Sequence, residues 1–441
     1  MTLMMMTIDS TIVSTALDTL QTELDTDITW VGWTVTAYMF GFILMLPVAG
    51  RWSERYGRRR VFLGSMAMFT LASLLCGLTS NIYVLIALRA LQAMGGAGFT
   101  PSATGIVVDH FGDARDRAVS LFGSIIPMGA MIGPVFGGFF VTYMTWRWVF
   151  LINVPVGLLV LGLTLKFIPR DAPRAKAADQ RMDPWGMLWL SVGLLALMFA
   201  ITYIEGGNFR TALWKIAVPL VVAVVSLHTF FRHIGRRNDP FISPQLMVGK
   251  DFGAVNLYNG LYGGVTIGVI TLIPYYASHR YGLSPLASGV LLTVQGIAVI
   301  LTTFAAVFAL RRTGHRPPLY VGSTLIIVSL LLLWWGPQAE MPANHWLMMA
   351  MCILGIGFGV TNPASRNAGL QLAPEHSSTL AALRTMTLNL GAILTVSIST
   401  AVMANAHDAG HAQSTFYLII AGLLAAGIPV IARIPEHRGA W

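Results

Sequence analysis

Apolar and polar residues do not alternate along this chain. They come in blocks. Fourteen apolar segments stand at about 1–19, 30–49, 61–79, 82–104, 118–142, 149–168, 185–204, 212–231, 253–277, 286–309, 318–336, 345–365, 379–402 and 414–433. Each is close to the roughly 20 residues needed to cross about 30 Å of hydrocarbon as a helix. Only helices satisfy their own backbone hydrogen bonds over such lengths in lipid. The interior Pro47, Pro134, Pro155, Pro274 and Pro363 are tolerable there, because neighbouring helices can satisfy the freed backbone groups. The pattern predicts an all-α membrane protein of fourteen transmembrane helices. Nothing in the first segment reads as a cleavable signal, so insertion is expected to use an uncleaved span.

Composition agrees. The chain of 441 residues is 55% hydrophobic and only 11% charged, with a mean hydropathy of +0.68. A soluble domain carries about 25% charged residues. The two cysteines, Cys76 and Cys352, both lie in apolar blocks and suggest neither a disulfide framework nor a metal site.

The net charge of +9 is distributed unevenly. Alternate polar loops hold Arg51, Arg55, Arg58, Arg59 and Arg60; Arg115 and Arg117; Arg170, Arg174, Lys176 and Arg181; Arg232, Arg236, Arg237 and Lys250; Arg311, Arg312 and Arg316; Arg366; and Arg433 and Arg438. The intervening loops hold only Arg147, Arg210, Lys215 and Arg280. The positive-inside rule puts the Arg-rich loops, and with an even span count both termini, in the cytoplasm. The basic balance is thus a topology signal and not a nucleic-acid footprint.

A weak repeat is visible. Gly50-Arg51-Trp52-Ser53-Glu54-Arg55-Tyr56-Gly57-Arg58-Arg59-Arg60 reads as a tight basic loop between spans 2 and 3. Arg311-Arg312-Thr313-Gly314-His315-Arg316 is a shorter relative between spans 10 and 11. The implied plan is an N-terminal six-helix half (1–168), a linker with an inserted helix pair (169–252) and a C-terminal six-helix half (253–441). Repeated halves are a transporter plan.

Four motifs resemble those of the fourteen-span drug:proton antiporters of the major facilitator superfamily, and the likeness covers nearly the whole chain. The first is the Gly50–Arg60 stretch, with Glu54 where the family has aspartate. The resemblance implies a cytoplasmic gate built from Gly50, Glu54, Arg55, Gly57, Arg58 and Arg59, with the acid meeting the basic cluster and a helix N-terminus of the other half. The second is Thr7-Ile8-Asp9-Ser10-Thr11-Ile12-Val13-Ser14-Thr15-Ala16-Leu17 in span 1. A carboxylate there costs about 2.5–3.5 kcal/mol on insertion scales and needs a partner or a wet cavity. The third is Arg89-Ala90-Leu91-Gln92-Ala93-Met94-Gly95 in span 4, with Ala93 where glycine is usual. At 1.5 Å rise per residue, Asp9 and Arg89 both lie roughly 10–12 Å below the same surface, so contact is geometrically possible. Asp9 is expected to carry the coupling proton, with Arg89 setting how tightly it is held; a static buried ion pair is the alternative. The fourth, the antiporter helix, is Gly129-Ala130-Met131-Ile132-Gly133-Pro134-Val135-Phe136-Gly137-Gly138. Its small residues Gly129, Gly133, Gly137 and Gly138 allow close helix approach, and Pro134 is expected to kink the helix. Trp146 and Trp148, just beyond, fit an interfacial aromatic belt.

A substrate cavity is expected to draw on Tyr38, Gln92, Asn256, Tyr258, Asn259, Tyr262, Asn362 and Arg384, aromatics and amides suited to a loosely specified amphipathic ligand. Arg384 could attract an anionic group. Packing or belt roles compete for most of these positions. His407-Asp408-x-x-His411 has metal-like spacing but reads as a solvated loop. No Walker loop and no nucleophile–base grouping is present, so neither ATP-driven transport nor an enzyme is indicated, and no cofactor or metal is called for. Span 1 starts at Met1 without the cytoplasmic lead the family usually carries, which reads as a start farther upstream or as a short first span. The reading is a monomeric exporter in the cell (inner) membrane, with a small molecule, protons and lipid as its partners. A dedicated metabolite or antibiotic exporter and a lipid flippase of the same fold are the alternatives.

Overall fold

The computed structural model describes the chain except residues 14–15, 27, 112–117, 120–124, 126–128, 130–131, 134–135, 138, 142, 172–182, 206–212, 238–239, 241, 284, 339–340, 405, 407 and 437–441. Every regular element among the described residues is helical. Among the described residues, eleven helices are long and apolar enough to cross a membrane, and each coincides with one of the predicted segments. The other three predicted segments are 1–19, 118–142 and 185–204. The first contains the helices Thr2–Ile12 and Leu17–Glu23 around residues outside the description. Much of the second lies outside the described residues, and those that are described are helical. The third is the helix Pro184–Glu205, of which Pro184–Ala200 registers as a shorter apolar helix.

The chain packs as two compact units. The first comprises Met1–Arg115, Ile125–Met182 and Pro374–Ala382, and the second Asp116–Ser124, Asp183–Ala373 and Leu383–Trp441. In the first unit, helices Ile28–Tyr56 and Ile82–Ala97 lie side by side. A Cβ at Gly41 would run into the backbone of Ala90, so glycine sets their separation. In the second unit, helix Ala343–Leu370 packs against both Pro285–Thr313 and Arg316–Trp335. The helices Pro184–Glu205 and Leu213–Arg236 form a hairpin in this unit. The second of them leaves Val218, Leu220, Val221, Val222, Val224 and Val225 exposed, an apolar face suited to lipid and not to water.

The expected basic loop is shorter than its sequence suggests. Helix Ile28–Tyr56 runs straight through Pro47, Gly50 and Glu54, and the next helix starts at Arg58. Only Gly57 breaks the path, at a φ of 103° that a side chain would rarely adopt. In the second unit the same economy appears at Gly314, with a φ of 77°. Gly50 therefore serves close packing and not a turn: a Cβ there would lie 2.9 Å from the Ala382 methyl and 3.1 Å from the Ser378 carbonyl oxygen.

Both helices that follow these glycines are capped by an acid from far along the chain. The Asp171 carboxylate accepts from the backbone N–H of Arg59 and of Arg60, each at 3.0 Å. The Glu436 carboxylate accepts from the N–H of His315 at 2.8 Å and of Arg316 at 3.3 Å. The two acids occur in related strings, Ile168-Pro169-Arg170-Asp171 and Ile434-Pro435-Glu436, each just beyond a long apolar helix. The two strings form a second short repeat. Asp183 caps its own helix through the Gly186 N–H at 3.0 Å and holds the hairpin by meeting His233 Nε2 at 2.8 Å and Arg237 at 3.5 Å. Pro184 is the first residue of that helix, a position where its missing N–H costs nothing.

Replacing Asp171 or Glu436 by alanine should leave two helix N–H groups without their acceptor. Each substitution is expected to lower folded stability by about 0.5–2 kcal/mol, the usual range for a lost cap. A melting curve of detergent-purified protein, read beside wild type, measures it.

Candidate functional site

The first unit holds one fully buried charge pair. Asp9 is on helix Thr2–Ile12 and Arg89 on helix Ile82–Ala97. Their side chains are 0% and 1% exposed, and Arg89 Nη1 lies 2.8 Å from Asp9 Oδ2. The other carboxylate oxygen accepts from Gln92 Nε2 at 2.9 Å and from Asn153 Nδ2 at 2.7 Å. Gln92 also donates to the Ser73 hydroxyl at 2.7 Å and accepts from Arg89 Nη1 at 2.6 Å. Arg89 Nε reaches the Thr34 carbonyl at 3.4 Å, and the guanidinium lies 4.1 Å over the Tyr38 ring and 5.5 Å over that of Phe150. Each partner limits the cost of an ion out of water. The carboxylate takes three donors, one of them charged, and the planar guanidinium is flanked by aromatic faces.

Sequence reasoning located Asp9 and Arg89, and the structure brings them together. Gln92 and Tyr38, expected in a substrate cavity, sit instead on this network. Asn153 was not expected as a site residue; its sequence signal was an amide at the start of an apolar span, inside the stretch Trp146–Pro155 that resembles the fourteen-span branch. Trp146 is fully buried, donates its indole N–H to the half-exposed Glu23 at 2.9 Å and carries Arg147 at 4.5 Å over its ring; Trp148 is 40% exposed.

The glycine motif packs on the helix that carries Asp9. A Cβ at Gly129 would lie 2.9 Å from Thr7 Cβ, and one at Gly133 would strike the Thr11 hydroxyl, with the Ile8 carbonyl oxygen 3.1 Å away. Gly137 is buried, and Pro134 and Gly138 lie outside the described residues.

At the other end of this unit, Glu54 Oε1 accepts from the N–H of Thr379 at 2.8 Å, in the first turn of helix Ser377–Ala404, and Oε2 meets His376 Nδ1 at 3.4 Å. Arg58 is 2% exposed, pairs with Asp109 at 2.7 Å and donates to the Gly105 carbonyl. Arg55 lies 5.5 Å over the Tyr56 ring, and Arg59 reaches the Leu165 carbonyl at 3.1 Å.

In the second unit, Tyr258 and Tyr262 are buried and stacked, with ring centroids 5.9 Å apart. Tyr258 shares a hydrogen bond with Ser323 at 2.8 Å. Asn259, Asn362 and Arg384 belong to one hydrogen-bonded cluster through Ser365. Asn256 is used elsewhere: its amide donates to the carbonyls of Leu246 and Met247, both at 3.0 Å, and ties down the short helix Pro244–Val248. Asp408 caps helix Ala409–Ile431 through the His411 N–H, and His407 lies outside the described residues. No group of three metal-ligating side chains occurs among the described residues.

The sequence profile of the Major Facilitator Superfamily matches residues 1–396 and 259–440. The chain belongs to the major facilitator superfamily. It is a multi-pass membrane transporter and not an enzyme. It is 30% identical over 400 residues to the multidrug resistance protein B homolog of Mycobacterium tuberculosis, covering 90% of this chain and 73% of that protein. It is 28% identical over 448 residues to the methylenomycin A resistance protein of Streptomyces coelicolor, covering 99% and 91%. The fold matches the solved proton:xylose symporter XylE with a TM-score of 0.69, 14% identity and coverage of 99% and 94%.

Asn153→Leu keeps the branched shape of the side chain but removes one of the three donors to the Asp9 carboxylate. It is expected to destabilise the protein by about 1–3 kcal/mol, the cost of a buried charged group losing a partner. Thermal unfolding in detergent tests it, and an unchanged midpoint would show that water replaces the amide.

Proposed function

We propose that the chain is a secondary active exporter of the fourteen-span drug:proton antiporter branch, moving small amphipathic compounds outward in exchange for protons. The observation that carries this reading is the buried Asp9 carboxylate held by Arg89, Gln92 and Asn153. A proton taken up by Asp9 cancels its charge, weakens the Arg89 contact and turns one carboxylate oxygen from acceptor to donor. Gln92 and Asn153 must then re-pair, which ties the protonation state to the arrangement of the helices they stand on. Segments 1–19, 118–142 and 185–204 supply the crossings beyond the eleven long helices. The Arg-rich loops argue for cytoplasmic termini, and the bacterial relatives for the inner membrane. The protein acts as a monomer, with two six-helix halves rocking around the substrate.

The Glu54 carboxylate on the Thr379 N–H serves as a cytoplasmic latch in this reading. An acid at a helix N-terminus is favoured by the unpaired N–H groups and the helix dipole, and its release would accompany opening. A second reading is a dedicated exporter of one antibiotic, favoured by the likeness to the methylenomycin A resistance protein. A narrow resistance profile in a host lacking its own pumps would select it.

The decisive measurement is proton release from purified, weakly buffered protein when amphipathic compounds are added. Wild type should release protons and Asp9→Asn should not; release of equal size from the variant removes Asp9 from coupling. For the latch, Ser378→Cys is expected to react faster with a bulky impermeant maleimide from the cytoplasmic side when Glu54→Ala is also present. Equal rates would assign Glu54 to anchoring only.

A further inference from the structure

The two units treat the arginines Arg89 and Arg384 differently: Arg89 is fully buried and Arg384 part-buried. Arg89 in the first meets a carboxylate at 2.8 Å. Arg384 in the second, on helix Ser377–Ala404, donates its Nη2 to the Asn362 carbonyl oxygen at 2.8 Å and to the Ser365 hydroxyl at 3.3 Å, both neutral. Its Nε is buried without a hydrogen-bond partner. Ser365 passes its own proton to Asn259 Oδ1 at 2.6 Å, which leaves the Asn259 amide nitrogen, in a side chain only 1% exposed, as a second donor without an acceptor. The cluster therefore has donors to spare and a full positive charge.

No acid of the second unit is available to it among the described side chains. Asp183, Asp408 and Glu436 cap helices, and Asp251 is exposed at the start of helix Lys250–Tyr281. Beside the cluster, on the same two helices that carry Asn259 and Asn362, the Tyr262 ring stacks on Phe358 with centroids 5.4 Å apart. Leaving a guanidinium N–H and an amide N–H buried and unpaired is costly. An oxyanion is the acceptor such donors call for, and arginine is the side chain best shaped for a carboxylate.

We propose that Arg384, with Asn259, binds the carboxylate of an aromatic organic anion, whose ring packs against the part-buried Phe358; Tyr262, covered on both faces by Tyr258 and Phe358, holds Phe358 in place. This names a substrate class for the export reading and rests on that reading only for its physiological use.

The test uses the full chain purified in dodecyl maltoside, with 2-naphthoate and its uncharged analogue 2-naphthamide as probes and equilibrium binding as the readout. Wild type is expected to bind the naphthoate at least about tenfold more tightly, about 1.4 kcal/mol. Arg384→Gln should abolish the preference, Arg384→Lys should keep part of it because the charge remains without the planar fork, and Asn259→Leu should weaken naphthoate binding severalfold. Equal binding of the two probes to wild type, or a preference that survives Arg384→Gln, overturns the proposal. So does displacement of the naphthoate by phosphatidylglycerol at lower concentration, which would make a lipid headgroup the occupant. If Arg384→Gln does not fold, the wild-type probe pair and Arg384→Lys still decide. Binding is read without a proton gradient, so a chain that prefers naphthoate yet releases no proton would remove the antiport reading and leave this site standing.

Discussion

The buried charge of Asp9 is the constraint around which the first unit is organised. A carboxylate on a membrane-crossing helix is tolerated only where partners replace its water. Here those partners come from separate stretches of chain: Arg89 and Gln92 from one helix, Asn153 from another, with Ser73, Thr34 and Tyr38 holding them in turn. The glycines at 129 and 133 belong to the same arrangement, because a larger side chain at either would push the neighbouring segment off the helix that carries Asp9. Close packing and charge burial are thus one requirement. Removing one member of a buried pair usually costs about 3–5 kcal/mol, since the other charge is left behind.

The remaining acids follow a simple economy. The chain has 19 acids against 28 arginines and lysines. Several of those described are used at helix N-termini: Glu54 on Thr379, Asp171 on Arg59 and Arg60, Glu436 on His315 and Arg316, and Asp183 and Asp408 on their own helices. At a helix start the unpaired N–H groups offer a ready partner for a negative charge. The arginines, more numerous, serve mostly at helix ends and the loops beside them, where they suit membrane orientation; Arg366, expected in such a loop, is instead buried in helix Ala343–Leu370. The part-buried Arg384, with Nε unpartnered and only neutral groups on its Nη2, stands apart from both uses.

The fold was largely legible because the bilayer restricts the options. A block of about 20 apolar residues can only be a helix in lipid, whatever its neighbours are. The same logic made Asp9 and Arg89 visible, since ionisable residues stand out in apolar blocks. Asn153 did not stand out, because one amide at a span start has many ordinary uses. Helix ends were also misjudged: the Gly50–Tyr56 stretch is polar and reads as a loop, yet it continues the helix until Gly57 reverses the backbone.

What the sequence determined by itself, then, was the all-helical membrane architecture, the superfamily's motifs and the pair of charges to look for. Its physical basis is local: hydropathy, charge and glycine content act within one segment. The tertiary structure decided which side chains share a site. It took Gln92 and Tyr38 to the Asp9 network, used Asn256 on the backbone, buried Trp146 against Glu23 and left Arg384 and Asn259 with donors to spare. Those outcomes depend on distances between residues scores of positions apart, which no local pattern encodes.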